Sequence, residues 1–142
     1  MSRAGTAEGG FTLIELLVVL VILGLLAALA GPRVISYLGG AKTDTAKLQI
    51  ENLKAALDLY RLDTGIYPTT QQGLGALVKN PGNAQGWKGP YIDSPSLPAD
   101  PWGNPYLYRA PGENGAYDLY TLGSDKAPGG SGEAADVTSW NS

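Results

Sequence analysis

Apolar residues crowd into one unbroken run near the amino terminus and then thin into a periodic stripe. Residues 11–31 carry a single charge, Glu15. About 20 apolar residues rising 1.5 Å each are enough to cross the ~30 Å hydrocarbon core of a bilayer. The run ends at Gly31-Pro32, which predicts a break or kink, because proline lacks a backbone donor and glycine is a poor helix former. Beyond it, Ala46, Ile50, Leu53, Leu57 and Tyr60 recur at spacings of four, three, four and three, the stripe of an amphipathic helix laid on a core. Lys47, Glu51, Lys54, Asp58 and Arg61 fall largely on the other face. This second helix is predicted from about Arg33 to Asp63, with a weak point at Gly39-Gly40 and an end near Gly65 and Pro68.

From residue 65 to 104 the pattern dissolves into Gly, Pro, Asn and Gln, with a short helical patch over residues 71–78. A connection of this length in a small domain is usually functional or particular to a family. Two apolar, β-rich runs follow, residues 106–110 and 116–122, separated by Pro111-Gly112-Glu113-Asn114-Gly115, which predicts a hairpin. A glycine-rich tail with acidic residues closes the chain. The organisation expected is α+β: a long amino-terminal helix with a membrane half (residues 11–31) and an amphipathic half (32–64), an irregular connection (65–104), then a small antiparallel sheet and loop (105–142).

Composition narrows the chemistry. A net charge of −3 and a pI near 4.8 leave no basic stripe, which argues against nucleic acid as a partner. Cysteine and histidine are both absent, so disulfides, thiol catalysis and the commonest general base are excluded. No catalytic constellation emerges, and the chain reads as a non-enzymatic protein.

Glu15 is the strongest functional pointer. An ionised carboxylate in lipid costs at least ~2.5–3.5 kcal/mol on insertion scales, so its presence demands a partner. A secretory signal would explain the apolar run, with Ala28-Leu29-Ala30 as its cleavage site, but Arg3 is the only basic residue upstream and Glu15 interrupts the run. The string Gly10-Phe11-Thr12-Leu13-Ile14-Glu15-Leu16-Leu17-Val18-Val19-Leu20 resembles the class III signal of type IV pilin-like proteins. The resemblance implies cleavage by a prepilin peptidase between Gly10 and Phe11, which removes residues 1–10 as a leader, and methylation of the new amino terminus. It also implies that Phe11, Glu15 and Pro32 serve assembly, with Glu15 facing the terminal amine of a neighbouring subunit, and that the fold is type IV pilin-like.

Four further strings narrow the likeness: Tyr67-Pro68-Thr69-Thr70-Gln71-Gln72-Gly73-Leu74, Asp100-Pro101-Trp102-Gly103-Asn104-Pro105-Tyr106, Tyr117-Asp118-Leu119-Tyr120-Thr121-Leu122-Gly123-Ser124-Asp125 and Ala135-Asp136-Val137-Thr138-Ser139-Trp140. Together they are similar to the major pseudopilins of the type II secretion system. Type IV major pilins usually close their last loop with a disulfide, which this chain cannot form. The pseudopilin resemblance implies a helical homopolymer in the periplasm that drives folded proteins across the outer membrane. The subunit is expected to be single-pass in the inner membrane with its carboxy-terminal domain periplasmic. Minor pseudopilins, the inner-membrane assembly platform and the prepilin peptidase are the implied partners.

The resemblance also implies a Ca2+ site in the tail, held by Asp125, Asp136, the Thr138 hydroxyl and the Leu122 carbonyl, with Ser131 and Ser139 as weaker candidates. Calcium accepts irregular sets of oxygen ligands, so these donors are chemically suitable. Read without the family, two aspartates in a glycine-rich loop are ordinary turn residues. Lys126 departs from the family, which often has glycine there, and sets a positive charge beside the implied ion. Two other classes remain compatible with the sequence: an adhesion or motility pilin, and a calcium-dependent sugar-binding module using Trp87, Tyr91, Trp102, Tyr106, Tyr108, Tyr117 and Tyr120.

Overall fold

The computed structural model describes residues 12–141, and the expected cleavage pair Gly10-Phe11 lies outside them. The chain divides into two compact units between Leu38 and Gly39. Helix α1 runs from Leu13 to Thr64 without interruption. It opens on Thr12, whose Oγ1 accepts the Glu15 N–H at 3.0 Å, the side-chain capping that orphan amides at a helix start require. It closes where Gly65 turns to φ 91°, a left-handed value that glycine adopts without steric cost, as the Gly65 N–H donates to the Arg61 carbonyl at 2.7 Å.

In the amino-terminal unit the apolar residues from Leu13 to Leu29 are exposed, and the segment is long and apolar enough to cross a membrane. Here the break expected at Gly31-Pro32 is corrected: Pro32 lies inside α1. The proline costs one backbone bond, to the carbonyl of Ala28. The small side chains of Ala27, Ala28, Ala30 and Gly31 crowd its ring little, and apolar helices tolerate such a residue.

The carboxy-terminal unit, Gly39–Ser142, has its core on the predicted stripe. Ala46, Ile50, Leu53, Leu57 and Tyr60 are all buried, joined by Ala56. They pack on Leu74 and Leu77 of a 3-10 turn (Leu74–Leu77) and on Tyr106, Leu119 and Val137. The helical patch expected over residues 71–78 contracts to that single turn, because Gly73 adopts φ 64° and cannot continue a helix.

The sheet is three-stranded and antiparallel in the order β1 (Leu107–Arg109), β2 (Asp118–Thr121), β3 (Val137–Thr138). β1 and β2 form the expected hairpin, with Tyr108 opposite Leu119. β3 is an addition, pairing Thr121 with Val137 and Tyr120 with Thr138. The hairpin turn is organised by Asp118, a buried carboxylate that accepts the Glu113 and Asn114 amides at 2.9 and 3.1 Å and Arg109 Nη2 at 3.1 Å. Burial alone pushes such a group up, but those donors overcome it and hold the Asp118 carboxyl below the usual range.

The long connection is pinned by its aromatic side chains. Trp87 Nε1 donates to the Ala76 carbonyl at 2.7 Å, Tyr91 Oη donates to Asp63 Oδ2 at 2.8 Å, and Tyr108 Oη donates to the Pro68 carbonyl at 2.6 Å. Thr70 and Ala110 exchange two bonds at 3.0 and 2.9 Å.

Candidate functional site

Two regions hold the residues singled out by sequence, and they belong to separate units. At the helix start, Thr12 caps α1 and Glu15 takes part only through its backbone N–H, which donates to the Thr12 hydroxyl. The Glu15 side chain has no hydrogen bond or ion pair among the described residues. The Thr12 hydroxyl therefore satisfies one of the orphan amides at the helix start.

The second region is the tail. Leu122 precedes a 3-10 turn (Gly123–Asp125), which packs on a second turn (Gly132–Ala134), and Asp136 leads directly into β3. Gly123 is indispensable to this packing. It sits at φ 77°, and a Cβ there would stand 2.6 Å from the Glu133 carbonyl oxygen and 2.7 Å from that of Ala135. Asp125 Oδ1 accepts the Ala127 N–H at 3.1 Å, and Asp136 Oδ2 accepts the Gly129 N–H at 3.2 Å. Leu122 and Asp125 thus bound the first turn, Asp136 follows the second, and Thr138 lies in β3, opposite Tyr120.

Asp136 Oδ1 is buried with no hydrogen-bond partner, the one such side-chain atom among the described residues. An uncompensated buried carboxylate oxygen is costly, and it normally signals a missing ion, water or partner. Among the described residues no three acidic side chains converge. An ion bound here would need backbone carbonyls as well, which Ca2+ accepts and transition metals favour less. The donor set of two carboxylates, a hydroxyl and carbonyl oxygens fits Ca2+. Lys126 is exposed and, among the described residues, is the non-glycine one with positive φ, 55°, the left-handed conformation that suits glycine at this place.

Sequence reasoning missed how this loop is tied down. Glu133 packs over α1 at Gly39, where a Cβ would lie 2.6 Å from Glu133 Cγ, and Trp102 Nε1 reaches Glu133 Oε1 at 3.4 Å. Gly39, expected to be a weak point, is the slot that admits the loop. Trp102 in turn is positioned by Asp100, which is 4% exposed and whose Oδ1 accepts the Trp102 and Asn104 amides at 3.0 and 2.8 Å, while Oδ2 accepts the Thr121 hydroxyl. An aspartate before Pro-Trp-Gly-Asn is a turn signal with this mechanism, because its carboxylate caps amides two and four residues ahead.

The aromatic residues considered as a sugar-binding face serve the interior instead. Tyr106 donates to Gln49, Tyr108 to Pro68 and Tyr91 to Asp63. Tyr117 packs on Tyr67 and Tyr108 with ring centroids 4.8 and 5.8 Å apart.

A family model described as Type II secretion system (T2SS), protein G, matches residues 33–140, and one described as Prokaryotic N-terminal methylation motif matches residues 6–31. The chain belongs to the type II secretion system protein G family. It is 54% identical to the type II secretion system core protein G of Pseudomonas aeruginosa over 138 residues, which is 94% of this chain and 96% of that protein. The Escherichia coli K12 core protein G is 45% identical over 146 residues, 97% of this chain and 94% of that one. Among solved structures, the major pseudopilin of enterohaemorrhagic E. coli superposes with a TM-score of 0.60 at 34% identity, covering 72% of this chain and 90% of that chain. The protein G fold is thus the pilin-like one expected: one long amino-terminal helix and a small antiparallel sheet. The chain is a type II secretion pseudopilin, a structural subunit with a membrane-capable helix, and the methylation motif covers the expected cleavage pair Gly10-Phe11.

Proposed function

We propose that this protein is the major subunit of a periplasmic pseudopilus, a helical homopolymer drawn from the inner membrane to drive folded proteins across the outer membrane. The observation that carries this reading is an exposed apolar helix joined to a motif for amino-terminal processing. In the bilayer, Leu16, Val19, Leu23 and Leu26 face lipid, and after extraction they face neighbouring helices. Contacts between unlike faces of identical subunits build such open filaments. Minor pseudopilins, the assembly platform and the prepilin peptidase complete the partners of this reading. Intact mass and amino-terminal sequencing of the protein from its native membrane test it. A chain that begins at Phe11 and carries one added methyl group is expected. A chain that begins at Gly31 would overturn the reading and make the apolar run a discarded signal.

The tail of this subunit is proposed to bind Ca2+ through Asp125, Asp136, the Leu122 carbonyl and Thr138, and the orphaned Asp136 Oδ1 supports it. The ion supplies charge compensation and ties a glycine-rich segment, costly in entropy to order, to β3. Calcium at 100 times its dissociation constant is expected to stabilise the domain by ~2.7 kcal/mol, read as a rise in melting temperature that a chelator reverses. Asp136→Ala is expected to abolish that response, and an equal response in the variant would refute the site.

A further inference from the structure

The carboxy-terminal unit begins on a weak stretch of helix. Residues 39–45 of α1 include Gly39 and Gly40, the poorest helix formers after proline, and two threonines. Thr43 Oγ1 donates to the Gly39 carbonyl at 3.2 Å, and Thr45 Oγ1 donates to the Ala41 carbonyl at 2.8 Å. Such bonds back to the preceding turn destabilise a helix slightly and bend it. Between Gly39 and Ala46 no residue is buried, so the core stripe, which starts at Ala46, gives this stretch little support.

Support comes instead from the tail. Gly39 is itself buried, and the three atoms nearest a Cβ built there, at 2.6, 2.7 and 2.8 Å, all belong to the Glu133 side chain. Glu133 Oε1 accepts Trp102 Nε1 at 3.4 Å, and the carboxylate makes no ion pair among the described residues. Glu133 is thus held in the notch by shape and one long hydrogen bond. The segment that delivers it is costly to order, since Gly129, Gly130 and Gly132 all adopt positive φ, 85°, 95° and 60°. A side chain seated this way, on a turn of high entropy, belongs to the part of a fold that opens locally before the core does.

We propose that Glu133 is a latch on α1: seated at Gly39 it keeps residues 39–45 helical, and withdrawn with its turn it lets that stretch open while the helix from Ala46 onward stays packed. The order of the tail is thereby passed to the first turns of the amphipathic helix. Glu133 stands between Asp125 and Asp136 in the chain, so an ion that orders those aspartates also seats the latch. That last step alone rests on the calcium reading above.

Hydrogen exchange of the full-length protein in detergent micelles, read by mass spectrometry, tests the latch from both ends. Glu133→Ala is expected to speed exchange of residues 39–45 about tenfold, the effect of losing one hydrogen bond to a charged group, with β1 and β2 unchanged. Glu133→Gln keeps the bulk and the acceptor for Trp102 and should stay near wild type. Gly39→Ala fills the notch and is expected to speed exchange of residues 129–135, even though alanine favours the helix. Helix propensity alone would leave the tail as it was. Wild-type rates at residues 39–45 in Glu133→Ala, or at residues 129–135 in Gly39→Ala, would overturn the latch. Faster exchange throughout, β1 and β2 included, would also overturn it, by making Glu133 a general support of the fold. A chelator is expected to speed both segments in the wild type. Release of the tail without opening of residues 39–45 overturns the latch, whereas a tail that calcium removal leaves unmoved defeats the calcium reading, and the two variants still decide the latch.

Discussion

Replacing Glu15 by alanine is expected to leave the precursor inserted, processed and folded, while fibres and secretion fall by two orders of magnitude or more. The side chain can be removed without loss of helix start, because the Thr12 hydroxyl accepts the backbone N–H of residue 15, which alanine retains. Insertion improves, since the variant no longer carries a carboxylate into the apolar run, a cost of at least ~2.5–3.5 kcal/mol. In the pairing that the pilin-like resemblance implies, what disappears is the anionic partner for the terminal amine of a neighbour. Leaving one member of a buried charge pair alone costs about 3–5 kcal/mol, which is roughly 100-fold or more at each subunit contact. Glu15→Gln, which keeps a hydrogen-bond acceptor without the charge, should fall between the two. The measurement is fibre yield and exoprotein release in cells complemented with each variant, beside the level and processed mass of the full-length protein in the membrane fraction. Secretion at wild-type level from the alanine variant would refute the pairing role.

A second large effect is expected at Asp100, a buried residue of the carboxy-terminal unit. Asp100→Ala should destabilise the domain by about 3–5 kcal/mol, since it leaves two backbone amides and the Thr121 hydroxyl without their acceptor in a buried place. For a domain of this size that loss lowers the melting temperature by more than about 10 °C. The damage should spread to the tail. Trp102 holds Glu133, Glu133 packs in the Gly39 slot, and the turn of Glu133 adjoins the calcium candidates. The calcium-dependent rise in melting temperature is therefore expected to shrink together with stability. Asp100→Asn, which keeps one oxygen for the amides, should lose about half as much. Thermal unfolding of the soluble domain with and without calcium checks both points, and an alanine variant within about 1 °C of wild type would show that the network carries no weight.

Helix α1 shows why a helix can be read for its core and still be misread for its surface. The i, i+3, i+4 rule identified Ala46, Ile50, Leu53, Leu57 and Tyr60 as core, and all five are buried. Such a rule finds the strongest stripe and treats the remainder as solvent. It is silent on Leu48, Leu59 and Leu62, which lie among charged residues in the sequence, fall on the side of the helix away from the core and are exposed. At Pro32 the local penalty of proline was legible, but the tolerance of the surrounding small residues was not, and the helix continues.

What the sequence by itself determined was everything carried by short-range order: the membrane-length apolar run, the core stripe, the hairpin about residues 111–115 and the strings that mark the family. These depend on spacing along the chain, which a sequence displays directly. Only the tertiary structure decided that Gly39 admits Glu133, that β3 closes the sheet, that the aromatic hydroxyls turn inward, and that one oxygen of Asp136 is buried without a partner. Each of these joins residues far apart in the chain or turns on the burial of a single atom. Local pattern encodes neither, because both arise only when the chain has closed upon itself.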